Sequence, residues 1–292
     1  MSGDVPAISS RLPVGRTIAN ALRRRLWRLL FARHQNRMGS FFLDPRDHIG
    51  AERLITGDRY EGQLLALLGM VIDRLGLGEG TALDAGANIG NHACFFAPRF
   101  RHVICVEPGR VAALVLEANL DAAGFRNFEI HRFALGKDAG AGVLDRISDD
   151  NLGSSVVRKV DGEGEFRIVS GDQLWRQTGA SDLQLIKIDV EGAEVDVIEG
   201  IACTLATEKP LVCVEVLEEQ RWNLVRQLLV AAGYGAWFVV VPAVDARSLL
   251  GRIWSTLRGR RYDLTPLSTT FRSGGYEMIL CMTSSHVARL AH

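Results

Sequence analysis

The residues able to do chemistry gather in two short stretches. The first is Leu83-Asp84-Ala85-Gly86-Ala87-Asn88-Ile89-Gly90, in which Asp84, Gly86, Asn88 and Gly90 follow at every second position. Glycine lets the backbone turn sharply and lets a ligand come close to the main chain. Asparagine is the non-glycine residue that best tolerates the left-handed region, so Asn88 can stand where a second glycine would. Glu107 lies 23 residues beyond Asp84 at the end of another apolar run. An acid at that place can accept hydrogen bonds from both ribose hydroxyls of a nucleotide. The second stretch runs from Ile186 to Glu194 and carries Lys187, Asp189, Glu191 and Glu194. Carboxylates at a strand end can act as general bases, and Asp189 and Glu191 are the candidates, with Glu215 as a third.

Each residue also has a plainer reading. Glu194 can simply stabilise a helix N-terminus. Lys187 can form an ion pair with one of the neighbouring acids, and a lone histidine such as His92 is more often structural than catalytic. The turn and its distant acid fit NAD as well as S-adenosylmethionine. The spacing is not G-x-G-x-x-G, which weighs against a dinucleotide. An NAD-dependent oxidoreductase and a non-catalytic, membrane-associated cofactor-binding protein remain as alternatives.

The elements that must hold these residues follow from hydrophobic periodicity. Residues 60–77 read as an amphipathic helix. Strands are expected at 81–84, 102–107, 128–134, 183–189 and 210–216, with helices at about 91–97, 111–123, 193–205 and 219–232 between them. Strands separated by helices mean a parallel, doubly wound sheet. In such a sheet ligands bind beyond the carboxyl ends of the strands, where both stretches fall. Two closing strands, 236–241 and 276–282, lack a crossover helix and are expected to pair antiparallel. Residues 136–172 read as loop with short strands, and 243–275 as a long insertion.

Composition narrows the classes. The 292 residues are 47% hydrophobic and 23% charged, which is globular composition. No apolar run reaches the roughly 20 residues that span a bilayer. Net charge is zero, which excludes a generally basic nucleic-acid binder. The zero conceals an asymmetry, because residues 1–40 hold eight arginines against Asp4 alone. Within that arm, residues 16–34 read as a basic amphipathic helix, suited either to an anionic membrane surface or to packing on protein. A second basic piece carries five arginines between 247 and 261. The five cysteines are irregularly spaced, with no zinc-type cluster; they read as buried thiols of a cytoplasmic protein, and no metal site is expected. No secretory signal is evident.

Taken in order, these segments resemble the FkbM family of S-adenosylmethionine-dependent methyltransferases. Gly57 to Glu61 resembles its opening segment, and Leu83 to Gly90 its first motif. Glu107-Pro108 resembles its ribose acid. Asn119, Ala134-Leu135-Gly136 and Gly153-Ser154-Ser155 resemble later signatures. Lys187 to Glu194 is the most specific stretch, and Val214-Glu215-Val216 completes it. The resemblance covers roughly residues 45–240 and leaves both arginine-rich pieces outside.

It implies an α/β Rossmann-like class I methyltransferase sheet, mostly parallel with an antiparallel last strand, preceded by a helical extension. A basic arm at 1–45 and a methyltransferase domain at 46–292 are the expected divisions. The implied cofactor is S-adenosyl-L-methionine, held by Asp84, Gly86, Ala87, Asn88, Gly90, Glu107, Pro108, Ala134, Leu135 and Asp189. Asp189, Glu191 and Glu215 would face the acceptor, a hydroxyl on a glycan, lipid-linked saccharide or natural product. No Asn/Asp-Pro-Pro-aromatic motif follows the fourth strand, which lowers a nucleic-acid reading. A cytoplasmic protein is expected, with peripheral contact at the inner membrane face open to the 16–34 helix and the oligomeric state undetermined.

Overall fold

A computed structural model describes residues 25, 41–43, 49–50, 53, 59–146, 155–242, 262–267, 271–272 and 274–291. The expected helix at 16–34 and most of the arginine-rich insertion lie outside the described residues.

Eight strands form the main sheet: β1 (Thr81–Ala85), β2 (His102–Val106), β3 (Phe128–His131), β8 (Leu183–Ile188), β9 (Leu211–Val216), β10 (Ala236–Pro242), β11 (Tyr262–Pro266) and β12 (Tyr276–Met282). Their spatial order is β11-β10-β12-β9-β8-β1-β2-β3. The five strands from β9 to β3 are parallel. β12 runs antiparallel to both β9 and β10, as the missing crossover helix requires. β11, inside the stretch read as an insertion, pairs antiparallel with β10. Its Tyr-Asp-Leu-Thr-Pro sequence carries almost no strand pattern, and the edge partner supplies what the sequence does not.

A second sheet of four strands gathers the short strands expected within 136–172 into one structure. It holds β4 (Ala134–Gly136), β5 (Gly140–Arg146), β6 (Ser155–Val160) and β7 (Phe166–Ser170) in the order β4-β7-β5-β6. Residues 128–134, expected as one strand, are therefore split between the two sheets. Eight helices are described: α1 (Gly62–Arg74), α2 (Ala93–Phe96), α3 (Arg110–Ala122), α4 (Gly171–Thr178), α5 (Glu194–Gly200), α6 (Ala202–Glu208), α7 (Glu219–Ala231) and α8 (Ser284–Leu290). The helix expected across 193–205 breaks at Ile201, whose φ is −117°. A Cβ on Gly200 would lie 2.0 Å from the Gly136 carbonyl oxygen, so this glycine lets α5 press against β4. The freed amides of Cys203 and Thr204 donate to the Asp172 carboxylate, which caps the second half.

The parallel strands β9, β8, β1 and β2 are buried on both faces, and this divides the core. Leu83, Ile104, Ile186, Val212 and Val214 pack on one side against Val197, Ile198 and Trp222. Ala82, Val103, Leu185 and Leu211 pack on the other against Leu68, Ile72 and Phe96. Burying each such side chain contributes about 1.5–3 kcal/mol, so the strand ends are held on a stiff platform. Two charged residues break the pattern. Asp84 and Lys187 sit opposite each other in register on β1 and β8, and both are buried.

Candidate active site

The carboxyl ends of β1, β2, β8 and β9 open into a cavity of ≈ 460 Å³. The turn after β1 forms its floor. Asn88 has φ 46° and Gly86 φ 76°, the left-handed conformations the sequence calls for. A Cβ on Gly86 would stand 1.7 Å from the Asp189 carbonyl oxygen, so only glycine lets this turn lie against the end of β8. Gly90, with φ 93°, sits on Leu116 of α3. The buried Asn119 amide donates to the Ile89 carbonyl at 2.7 Å, which ties the turn to α3.

Glu107 lines the same cavity as Lys187 and is 9% exposed. Its two carboxylate oxygens accept the amides of Gly109 at 2.7 Å and Asn88 at 2.9 Å. Burial raises its pKa, and those two N–H donors pull it back. An ionised carboxylate has about four acceptor positions, so two remain for a ligand. The surrounding wall is apolar or small: Pro108, Ala134, Leu135, Leu144 and Val157.

The other end of the cavity is made of charge. Lys187 Nζ donates to the Gly86 carbonyl at 2.8 Å and lies 3.3 Å from Asp84 and 3.2 Å from Asp189. Burial works against its ammonium, but the carboxylates of Asp189 and Asp84 outweigh that and hold its pKa above the ordinary lysine value. Asp189 is likewise opposed by burial, yet Lys187 and a hydrogen bond with Glu215 keep it below the usual carboxylate range. Glu215 answers in the opposite direction: burial and the Asp189 charge push it up to about 10. The two acids therefore titrate as one coupled pair. Glu191 has φ 47°, and burial together with Asp189 and Glu194 raises its pKa. His92 Nε2 lies 3.3 Å from Glu61.

Of the residues singled out in the sequence, Gly86, Ala87, Asn88, Glu107, Pro108, Ala134, Leu135, Asp189, Glu191 and Glu215 line this one cavity. Asp84 and Gly90 do not. Asp84 lies beneath the turn, fully buried against Lys187, and Gly90 shapes the turn without facing the space. Glu194 is the first residue of α5 and accepts the Gly192 amide at 2.7 Å, which is the helix-start reading. Lys187 forms the ion pair that the neighbouring acids suggested.

The cavity also contains residues to which the sequence gave no role, among them Leu144, Val157 and Glu277, and it contains Tyr60 and Glu61 of the opening segment. Glu277 had a faint signal, as an acid near the start of an apolar closing strand. It falls where the β12–β9 register shifts, between Tyr276 and Ile279. Leu144 and Val157 carried none, because their region was read as loop with short strands rather than as a sheet.

Several known proteins are similar to this chain. A family model described as the methyltransferase FkbM domain matches residues 84–264. The hexuronic acid methyltransferase AglP of Haloferax volcanii is 29% identical over 124 residues, 42% of this chain and 50% of its own length. The chain thus spans about half the length of that relative. Among solved structures, a methyltransferase FkbM from Methylobacillus flagellatus KT has 17% identity and a TM-score of 0.40, covering 54% of this chain and 39% of the other. Magnesium protoporphyrin IX methyltransferase from Synechocystis PCC 6803, solved with bound SAM, has 10% identity and a TM-score of 0.43, covering 95% of this chain and 100% of the other.

Proposed function

The chain belongs to the FkbM methyltransferase family, and on that premise we propose that it is an S-adenosylmethionine-dependent O-methyltransferase acting on a hydroxyl of a glycan or glycan-like acceptor. One observation carries the reading: a glycine turn with a ribose-type acid and a carboxylate-lined space open into the same cavity. The relative named as a hexuronic acid methyltransferase supports a sugar as the acceptor.

The residues present fit the cofactor. Glu107 would hold the ribose through the acceptor positions its two backbone donors leave free. Pro108, Ala134, Leu135 and Leu144 would enclose the adenine. Asn88 and Gly86 let the backbone come close enough to contact the remainder. Bound there, S-adenosylmethionine would supply a methyl group on a sulfonium, which passes to the acceptor oxygen as the sulfur–carbon bond breaks and leaves S-adenosylhomocysteine. Asp189 is the ionised carboxylate positioned to take the hydroxyl proton. Lys187, locked between Asp84 and Asp189, fixes the orientation of that carboxylate. Glu215, already protonated, donates to Asp189 and holds it from the other side.

Calorimetric titration with S-adenosylhomocysteine tests the cofactor half of the reading. A folded sample that fails to bind it would sink the proposal, as would unchanged affinity in Glu107→Ala. Transfer of labelled methyl from S-adenosylmethionine into a cell glycan and lipid extract tests the other half.

A further inference from the structure

His92 is a buried titratable group that methyl transfer, with Asp189 as base, leaves without a task. It stands just before α2, where its carbonyl accepts the amides of Phe95 at 2.8 Å and Phe96 at 2.9 Å. Its ring is 8% exposed and lines the cavity. Nε2 comes within 3.3 Å of the Glu61 carboxylate, yet the two are out of line, and Nε2 makes no hydrogen bond among the described residues. A buried ring nitrogen in that state is uncommon in a folded chain. Glu61 is itself strained, because its φ of 54° is left-handed, a region that glutamate rarely enters. It is held there as the residue before α1, where its carbonyl accepts the Leu65 amide at 2.9 Å.

A second, smaller space adjoins the ring. It measures ≈ 10 Å³ and shares Glu61, His92, Lys187, Asp189, Glu215 and Glu277 with the large cavity. The charged side chains thus meet His92 from the segment before α1, from β8 and the turn after it, and from β9 and β12. A space holds a water from about 10–15 Å³ upward, provided the water finds polar partners, so this one has room for one. The same space meets a chemical need. Asp189 is held below the usual carboxylate range, so a proton delivered to it does not stay. Glu215 is pushed up to about 10 and already carries a proton at neutral pH, and the Lys187 ammonium carries its own. An imidazole changes charge between about pH 5 and 8, which suits it to take a proton and release it again.

Resting on the methyltransferase reading, we propose that His92 carries the acceptor's proton away from Asp189, through one water seated in the small cavity that both residues line. As the acceptor oxygen takes the methyl group, the electron pair of its O–H bond stays on oxygen and the proton passes to Asp189. The water takes that proton and gives one of its own to Nε2. Asp189 is then a carboxylate again, and His92 an imidazolium. Glu61, 3.3 Å away, stabilises the new positive charge. Once the methylated product has left, the imidazolium releases its proton to solvent through the open cavity.

The full chain saturated with S-adenosylhomocysteine allows two tests that need no acceptor. Its crystal structure should show one ordered water within hydrogen-bonding distance of both His92 Nε2 and the Asp189 carboxylate. An aligned hydrogen bond from His92 directly to Glu61, or no water joining the two residues, overturns the inference. In an NMR titration of the histidine rings, Asp189→Asn removes the negative charge across that water and should lower the His92 pKa by about one pH unit. An unmoved pKa also overturns the inference. A folded chain that fails to bind S-adenosylhomocysteine strikes the methyltransferase reading, and this inference with it, so the two failures are distinguishable.

In parallel, labelled methyl transfer into a cell glycan and lipid extract follows the proton's path. His92→Gln should slow transfer about 100-fold at about pH 7.5, with affinity for S-adenosylhomocysteine kept within about threefold. The wild-type rate should fall in acid as the imidazole is protonated, and His92→Gln should lose that dependence. Imidazole added to His92→Gly should restore transfer at least about tenfold, which a merely structural role would not allow. A wild-type rate in His92→Gln, or a His92→Gly chain that binds S-adenosylhomocysteine but is not rescued, overturns the inference. Where the wild type labels no product, the ordered water and the ring titration decide.

Discussion

The two ends of the cavity are built by different means. The end with Gly86, Asn88 and Glu107 is made of backbone. Its turn depends on left-handed conformations, and its one acid is fixed by two main-chain amides. The end with Asp189, Glu191, Glu215, Glu61 and Glu277 is made of side chains brought from four places along the chain. The first is rigid because local geometry leaves the chain no alternative. The second is held by a balance of charges in which Lys187, Asp84, Asp189 and Glu215 set one another's protonation. A backbone-built site fails through sterics, and a charge-built site fails through protons.

This contrast can be broken most severely at Asp189. Replacement by Asn should lower turnover about 10³-fold while affinity for S-adenosylhomocysteine stays within about threefold. Normal turnover would remove Asp189 from the proton's path. At the other end, Gly86→Ala pushes a methyl group into the Asp189 carbonyl oxygen. Cofactor affinity should drop by about 100-fold or more, with a clear loss of thermal stability; a variant with wild-type binding would show that the turn can shift.

Glu107→Ala should be milder. It removes hydrogen bonds to an ionised group, each contributing about 1.5–3 kcal/mol, and calorimetry should find cofactor affinity weakened by about 10- to 100-fold. Glu215→Gln separates the two modes by pH. The Glu215 carboxyl rises from 4.5 to about 10 on folding, so the folded chain keeps a proton that the unfolded chain releases above 4.5. The stability this group contributes is fully present below 4.5 and is lost as pH rises toward about 10. Glutamine cannot titrate. Melting temperatures of variant and wild type should therefore agree at low pH and separate progressively in favour of the variant as pH rises to about 8. A constant difference across that range would mean that Glu215 titrates normally. Smallest of all, Asn88→Gly should change stability by no more than about 1 kcal/mol in a denaturant titration, because the turn already demands a left-handed residue.

Most of the parallel half of the main sheet was legible in the sequence because its central strands are short apolar runs followed by helix patterns. The four-stranded sheet was not. Gly140 to Arg146 and Ser155 to Val160 are rich in glycine and charge, and they pair because β7 offers an edge to β5, and β5 one to β6. The break between α5 and α6 was hidden for a similar reason. Gly200 and Asp172, which impose it, act through Gly136 and Thr204, residues more than thirty positions from their partners.

The sequence by itself determined the turn from Gly86 to Gly90, the strand-end acid Glu107 and the pairing of Lys187 with neighbouring carboxylates. Each depends on backbone conformation or on alternation along one strand, and such effects act over a few residues. Tertiary structure alone decided that Asp84 lies beneath the site rather than in it, since strand register sets it against Lys187. It alone brought Glu61 and Glu277 to Asp189 and Glu215, across more than two hundred residues of chain. It also decided which of those acids keeps its proton, because a protonation state depends on burial and neighbouring charge, and neither exists until the chain has folded.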